Sequence, residues 1–147
     1  MFSRLVLGLL LACITFGSAV AQSSEQPEDL TLIRQTIDSY FQGHATGEGH
    51  YQAQAFHPKA TLFWVRDGKL NERPSAEYIA AHNGTPAQDE AERKRRIVSI
   101  DISGTAALVK VELDYPRALI YDYMSMLKID GRWQIINKTF YVEPRGE

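Results

Sequence analysis

The chain has 147 residues, of which 44% are hydrophobic and 23% charged, with a formal net charge of −2. That length suits one domain with its own core. The mildly acidic balance gives no general field for nucleic acid, and the single cysteine, Cys13, excludes an intramolecular disulfide.

Residues 1–21 read as a secretory signal peptide. Arg4 supplies the positive start, Leu5 to Phe16 the apolar run, and Ala19-Val20-Ala21 the cleavage site. Cleavage after Ala21 predicts a periplasmic or secreted domain. A competing reading takes Leu10-Leu11-Ala12-Cys13 as a bacterial lipobox, with lipidated Cys13 tying the chain to a membrane. No second stretch is long and apolar enough to span a bilayer. Gln22 to Glu28 is polar, carries Pro27, and reads as a disordered lead-in.

Asp29 to about His44 reads as a helix, with Leu30, Ile33, Ile37, Tyr40 and Phe41 forming one apolar stripe. Glu48 to Phe56 reads as a short second helix, broken at His57-Pro58. Ala60 to Arg66 is β-rich, and Asp67-Gly68 is a turn. Pro74 to Ala81 reads as a third helix, and Asn83 to Arg93 as a mobile charged loop. Within Arg93-Lys94-Arg95-Arg96, the one basic run, the charges are offset by Asp89, Glu90 and Glu92 nearby. Ile97 to Ile102 and Ala106 to Tyr115 read as strands.

The last long stretch, Leu119 to Tyr141, reads as two strands joined at Asp130-Gly131, a strong hairpin signal. A two-residue turn sets Lys128 opposite Trp133, Met126 opposite Ile135, Met124 opposite Asn137 and Asp122 opposite Thr139. Strict alternation then gives one face Ile120, Asp122, Met124, Met126, Trp133, Ile135, Asn137 and Thr139. The other face takes Tyr121, Tyr123, Ser125, Leu127, Gln134, Ile136, Lys138 and Phe140. Both faces are largely apolar, so both should be covered. The overall order, α-α-β-α-β-β-β-β, is an α+β pattern with helices on one face of a curved antiparallel sheet.

Residues Ile33–Gly43, Ala55–Ala60, Asp67-Gly68, Arg96–Asp101, Ala106-Ala107 and Tyr121–Phe140 resemble the NTF2-like superfamily. More narrowly, they resemble its secreted bacterial branch labelled "putative lumazine-binding". The resemblance implies a cone-shaped α+β fold over residues 29–143, with 144–147 as a tail. It also implies a pocket at one end of the cone, between the curled sheet and the N-terminal helices. Trp133, Met126 and Met124 should line that pocket, with Asp122 and Asn137 at its polar part and Tyr40, Tyr51, Phe56, His57 and Tyr78 facing in from the helical side. Such a pocket takes a small apolar or aromatic ligand.

Within it, Asp122 could act as a general base or a protonated donor, with His57 as its acid/base partner. Equally, Asp122 could be a structural carboxylate, and His57 could satisfy backbone groups before Pro58. His44, His50 and His82 fit no metal spacing, so no metal or cofactor is expected. G-x-S-x-G, Walker A, G-x-G-x-x-G and H-E-x-x-H are absent from the sequence. The apolar patch Tyr121, Tyr123, Leu127, Ile136 and Phe140 predicts a sheet-to-sheet homodimer. Three functions remain open: a small-molecule binder, a cofactor-independent isomerase or dehydratase using Asp122 and His57, and an accessory dimer with a filled, vestigial pocket.

Overall fold

The computed structural model describes residues 25–146. The signal-peptide and Cys13 readings, and Gln22–Ser24 of the lead-in, lie outside these residues. The order is α1 (Glu25–Thr46), α2 (Gly49–Ala55), β1 (Phe56–Arg66), β2 (Lys69–Pro74), α3 (Ser75–Ala80), a 3-10 turn (Glu90–Glu92), β3 (Lys94–Ser103), β4 (Ala106–Tyr115), β5 (Ala118–Ile129) and β6 (Arg132–Pro144). One six-stranded sheet runs β2-β1-β6-β5-β4-β3, and only the β1–β6 pair is parallel. This is the α+β, NTF2-like cone, with the helices in the hollow of a curved open sheet.

Helix α1 starts earlier than the sequence suggested. Glu25–Glu28 form its first turn, where Pro27 costs no hydrogen bond and Glu28 and Asp29 suit the positive end of the helix. Its buried stripe is Ile33, Ile37 and Tyr40, each fully enclosed. Burying each of the two isoleucines contributes about 1.5–3 kcal/mol. The helix breaks at Gly47, whose φ of 71° few other residues adopt. A side chain there would also collide with the Thr85 backbone, which the loop after α3 brings close.

At the base of the cone, α1 is fastened to the β5–β6 hairpin. Trp133 Nε1 donates to Asp29 Oδ1 at 2.8 Å, Lys128 Nζ sits 2.9 Å from that same oxygen, and Thr36 Oγ1 donates to the Trp133 carbonyl at 2.8 Å. The hairpin turn is as read: Asp130 and Gly131 have φ of 49° and 76°. Asp67 and Gly68, at 54° and 72°, make the same kind of turn between β1 and β2.

Two features of the sheet depart from the sequence reading. Strand β2 was not expected, because Lys69–Pro74 is a charged, almost wholly exposed edge strand with no apolar alternation to reveal it. More consequentially, the β5–β6 register slips. Met126 pairs with Ile135, but Ser125 pairs with Asn137, Met124 with Lys138 and Asp122 with Phe140. Ile136 is the extra residue of a β-bulge, and every side chain beyond it changes face. Lys138 and Phe140 therefore turn into the cone, while Asn137 and Thr139 turn away from it.

The loop from Asn83 to Arg93 is tied down by charge. Arg93 pairs with Asp89 at 2.8 Å, and Arg95 holds Glu90 through two hydrogen bonds of 2.6 and 2.7 Å. Arg96 pairs with Glu112, so the basic run is matched locally.

Candidate functional site

A cleft of about 580 Å³ opens at the end of the cone away from the Asp130-Gly131 turn. Its walls come from β1, the β1–β2 turn, β2, α3 and the second half of β6: Leu62, Trp64, Arg73, Tyr78, Lys138 and Phe140 are prominent among them. The Trp64 and Phe140 rings stack at 5.4 Å, and the Arg73 guanidinium lies 5.8 Å over the Trp64 ring. Arg66 and Asp67 complete the rim near the turn, so the mouth carries two cations against one anion.

Lys138 sits at the floor, with only 4% of its surface exposed. Its Nζ donates to the Tyr40 hydroxyl at 3.0 Å and lies 3.3 Å from Asp122 Oδ1. Tyr40 in turn donates to Asp122 Oδ2 at 2.5 Å. Three side chains from α1, β5 and β6 thus form one closed triangle. The ammonium is ringed by aromatic faces, with Phe140, Tyr40 and Tyr78 centroids at 4.8, 5.1 and 5.2 Å. Such faces attract a cation. Burial nevertheless pushes the Lys138 amine below the usual lysine range, and Asp122 opposes that shift. Burial, and then the Asp122 charge, hold the Tyr40 phenol protonated well above its ordinary range.

A second polar chain runs beside the first. The Tyr78 hydroxyl and His44 Nε2 share a hydrogen bond of 3.0 Å, and the His44 and His82 rings meet edge to face at 5.9 Å. Gln52, fully buried, donates to the Tyr40 carbonyl at 3.1 Å. Its Oε1 has no hydrogen-bond partner among the described residues. Burial, then the charges of Lys138 and Arg95, keep the His44 imidazole well below its ordinary range and so neutral.

The residues singled out in the sequence divide into three groups. Asp122, Tyr40 and Tyr78 meet at or directly behind the cleft floor, and Phe56 packs against both tyrosine rings, at 6.0 and 5.5 Å. Met124, Met126 and Trp133 are instead part of the closed core under α1 and do not line the cleft. They fill the base of the cone, as the vestigial-pocket reading required, yet the cleft stands open above them.

The remaining three lie elsewhere. His57 does not join Asp122: Phe56 and Ala60 point inward, so His57 falls on the outer corner, where its Nδ1 accepts the Lys59 N–H at 3.1 Å. Asn137, turned out by the bulge, donates to the Thr61 carbonyl at 3.3 Å. Tyr51 packs against His50 with tilted rings at 3.9 Å and is absent from the cleft wall. Sequence reasoning missed Lys138, Trp64, Arg73 and Phe140. A bulge gives no alternation signal, so strict alternation puts Lys138 and Phe140 on the outer face. Among the described residues no cluster of metal-ligating side chains occurs.

The family described as "Putative lumazine-binding" matches residues 28–141. Over 112 residues the chain is 28% identical to a protein named Aldolase FrzH from Cladobotryum sp, covering 75% of this chain and 88% of that one. An NTF2-like protein of unknown function from Shewanella baltica OS155 superposes with a TM-score of 0.73 at 26% identity, over 81% of this chain and 97% of that one. Another, from Methylobacillus flagellatus KT, gives 0.68 at 32% identity, over 79% and 93%. Matched along most of its described length by sequence and by shape, the chain belongs to the "Putative lumazine-binding" family of NTF2-like proteins.

Proposed function

We propose that the protein binds a small planar molecule in the cleft between the β1–β2 hairpin and the outer half of β6. The observation that carries this reading is the pairing of stacked Trp64 and Phe140 walls with the buried Lys138 ammonium at the floor. Apolar walls with a few convergent polar groups are the usual form of a small-molecule site. The ring faces favour an aromatic or conjugated ligand, and Lys138 and Arg73 favour an anionic or carbonyl oxygen on it. The domain works outside the cytoplasm after cleavage following Ala21, and pairs as a homodimer through Tyr121, Tyr123, Leu127 and Ile136. Phe140 leaves that proposed face, since the bulge turns it into the cleft.

Native mass spectrometry of the protein purified from its own cells tests the binding reading. A co-purifying small molecule should be present in the wild type and lost in Trp64→Ala. A molecule retained equally by both proteins would refute this cleft as its site.

A second reading is cofactor-independent proton-transfer chemistry on the bound molecule, of isomerase, dehydratase or aldol type. The Tyr40–Asp122–Lys138 triangle favours it, because the Tyr40 phenol hydrogen-bonds both the Asp122 carboxylate and the Lys138 amine, which form an ion pair at 3.3 Å. The similarity to a protein named an aldolase points the same way. His57 is replaced in this reading by Tyr40 and Lys138 as the partners of Asp122. Turnover without added cofactor, abolished in Asp122→Asn, is the expected result. Full activity in that variant would rule the reading out.

A further inference from the structure

We propose that Lys138 is an amine nucleophile, and that the cleft takes a small aromatic aldehyde or ketone bearing a carboxylate, which forms an imine with Lys138 Nζ. This rests on the cleft being the binding site and adds the chemical class of what enters it.

Three observations carry the inference. Lys138 is the one lysine among the described residues lining the cleft, so it is the primary amine that borders a carbonyl held there. An ammonium has three N–H donors, and here one goes to Tyr40 and one faces Asp122, so the third has no hydrogen-bond partner among the described residues. The Asp122 carboxylate, 3.3 Å from Nζ, supplies a proton acceptor at the reacting nitrogen, and the Tyr40 hydroxyl, which accepts from Nζ at 3.0 Å, donates to that same carboxylate. Buried lysines in apolar surroundings are the ones that serve as Schiff-base nucleophiles, and burial moves this amine in the required direction.

The walls select the carbonyl compound. Trp64 and Phe140 offer ring faces to an aryl group, and Arg66 and Arg73 on the rim offer partners to its carboxylate.

The step balances without an oxidant or reductant. The ammonium passes one proton to Asp122. The freed Nζ lone pair forms a bond to the carbonyl carbon while the C=O π pair moves to oxygen. That oxygen collects two protons in all and leaves as water as the C=N bond forms. One carbonyl compound and one ammonium thus give one iminium and one water. The iminium keeps the positive charge beside Asp122, so the ion pair survives the reaction.

The test uses full-length mature protein, 4-carboxybenzaldehyde and cyanoborohydride, with the modified lysines located by peptide mass spectrometry. Each unit by which an ammonium pKa falls gives about tenfold more free amine at neutral pH. Lys138, whose ammonium burial disfavours, should therefore be labelled ahead of the exposed Lys59 and Lys69. That preference should vanish in urea. A parallel titration with 4-methylbenzoate, which has the ring and carboxylate but no aldehyde, reports binding alone through the Trp64 indole N–H resonance. Labelling confined to the surface lysines, with 4-methylbenzoate bound, would overturn the amine chemistry and leave the cleft intact. Neither labelling of Lys138 nor any response of Trp64 would remove both.

Discussion

Lys138 Nζ lies 3.3 Å from Asp122 Oδ1 inside the cone, and it is there because Ile136 bulges from β6. Without the extra residue, strict alternation would send Lys138 to the outer face of the sheet. The pair would not exist, and Asp122 would be a buried carboxylate holding only the Tyr40 hydroxyl.

That dependence sets the first expectation. Lys138→Met leaves the buried Asp122 carboxyl without its cation, which should cost about 3–5 kcal/mol in urea unfolding. Adding Asp122→Leu to Lys138→Met should recover most of the loss, because the double variant buries no charge. A double variant as unstable as the sum of the two single variants would show that the residues do not act as a pair.

Tyr40→Phe removes the donor to Asp122 Oδ2 and the acceptor for Lys138 while keeping the ring in place. The expected cost is about 1–3 kcal/mol, as for other buried groups left unsatisfied. It should be smaller than that of Lys138→Met. Unfolding at the wild-type urea midpoint would contradict this.

His44 makes stability depend on pH. Its folded pKa is depressed, chiefly by burial, so between that value and the ordinary value of 6.5 the unfolded chain binds a proton that the folded chain does not. Unfolding free energy should thus fall as pH drops below about 6.5, and hold its full value above it. His44→Gln should flatten this slope in urea titrations between about pH 7 and pH 5. An unchanged slope would mean that other groups set it.

Asp29 acts at the other end of the cone and in a lower pH range. Lys128 first, and then Trp133, hold its carboxyl below the usual value. Its contribution is present above the unfolded-state value and is lost as pH falls through the folded one. Asp29→Asn should lower stability at neutral pH, with the gap to wild type closing in strong acid. A gap that persists there would contradict the ion-pair account.

The outer face of the sheet carries Tyr123 at 42% exposure, Leu127 at 40% and Leu108 at 49%. If two copies pair there, Tyr123→Glu should give monomers in sedimentation velocity, whereas the wild type sediments as a dimer. A monomeric wild type would end the dimer proposal.

Much of the fold was legible in the sequence. The stripe Ile33, Ile37 and Tyr40 announced α1, and Asp130-Gly131 announced the long hairpin, because those signals are local. The burial of Asp122 on an apolar face was legible for the same reason. Register beyond the bulge was not, since Ile136 looks like any strand residue and its effect is to invert Asn137, Lys138, Thr139 and Phe140 together. His57 misled because proximity to Pro58 says where the chain turns, and not which way the imidazole points. The Arg73 part of the cleft wall depended on recognising β2, whose charged residues carry no core-facing pattern.

The most direct test of the cleft uses the protein's two tryptophans as paired reporters. Trp64 stands in the cleft wall, and Trp133 is sealed in the core with its indole N–H on Asp29. In a titration with a panel of small aromatic carboxylates, the Trp64 indole N–H resonance should shift saturably for at least one compound while that of Trp133 stays fixed. A panel that moves neither resonance, or moves Trp133 and leaves Trp64 in place, would contradict the assignment of the Trp64–Phe140–Lys138 cleft as the ligand site.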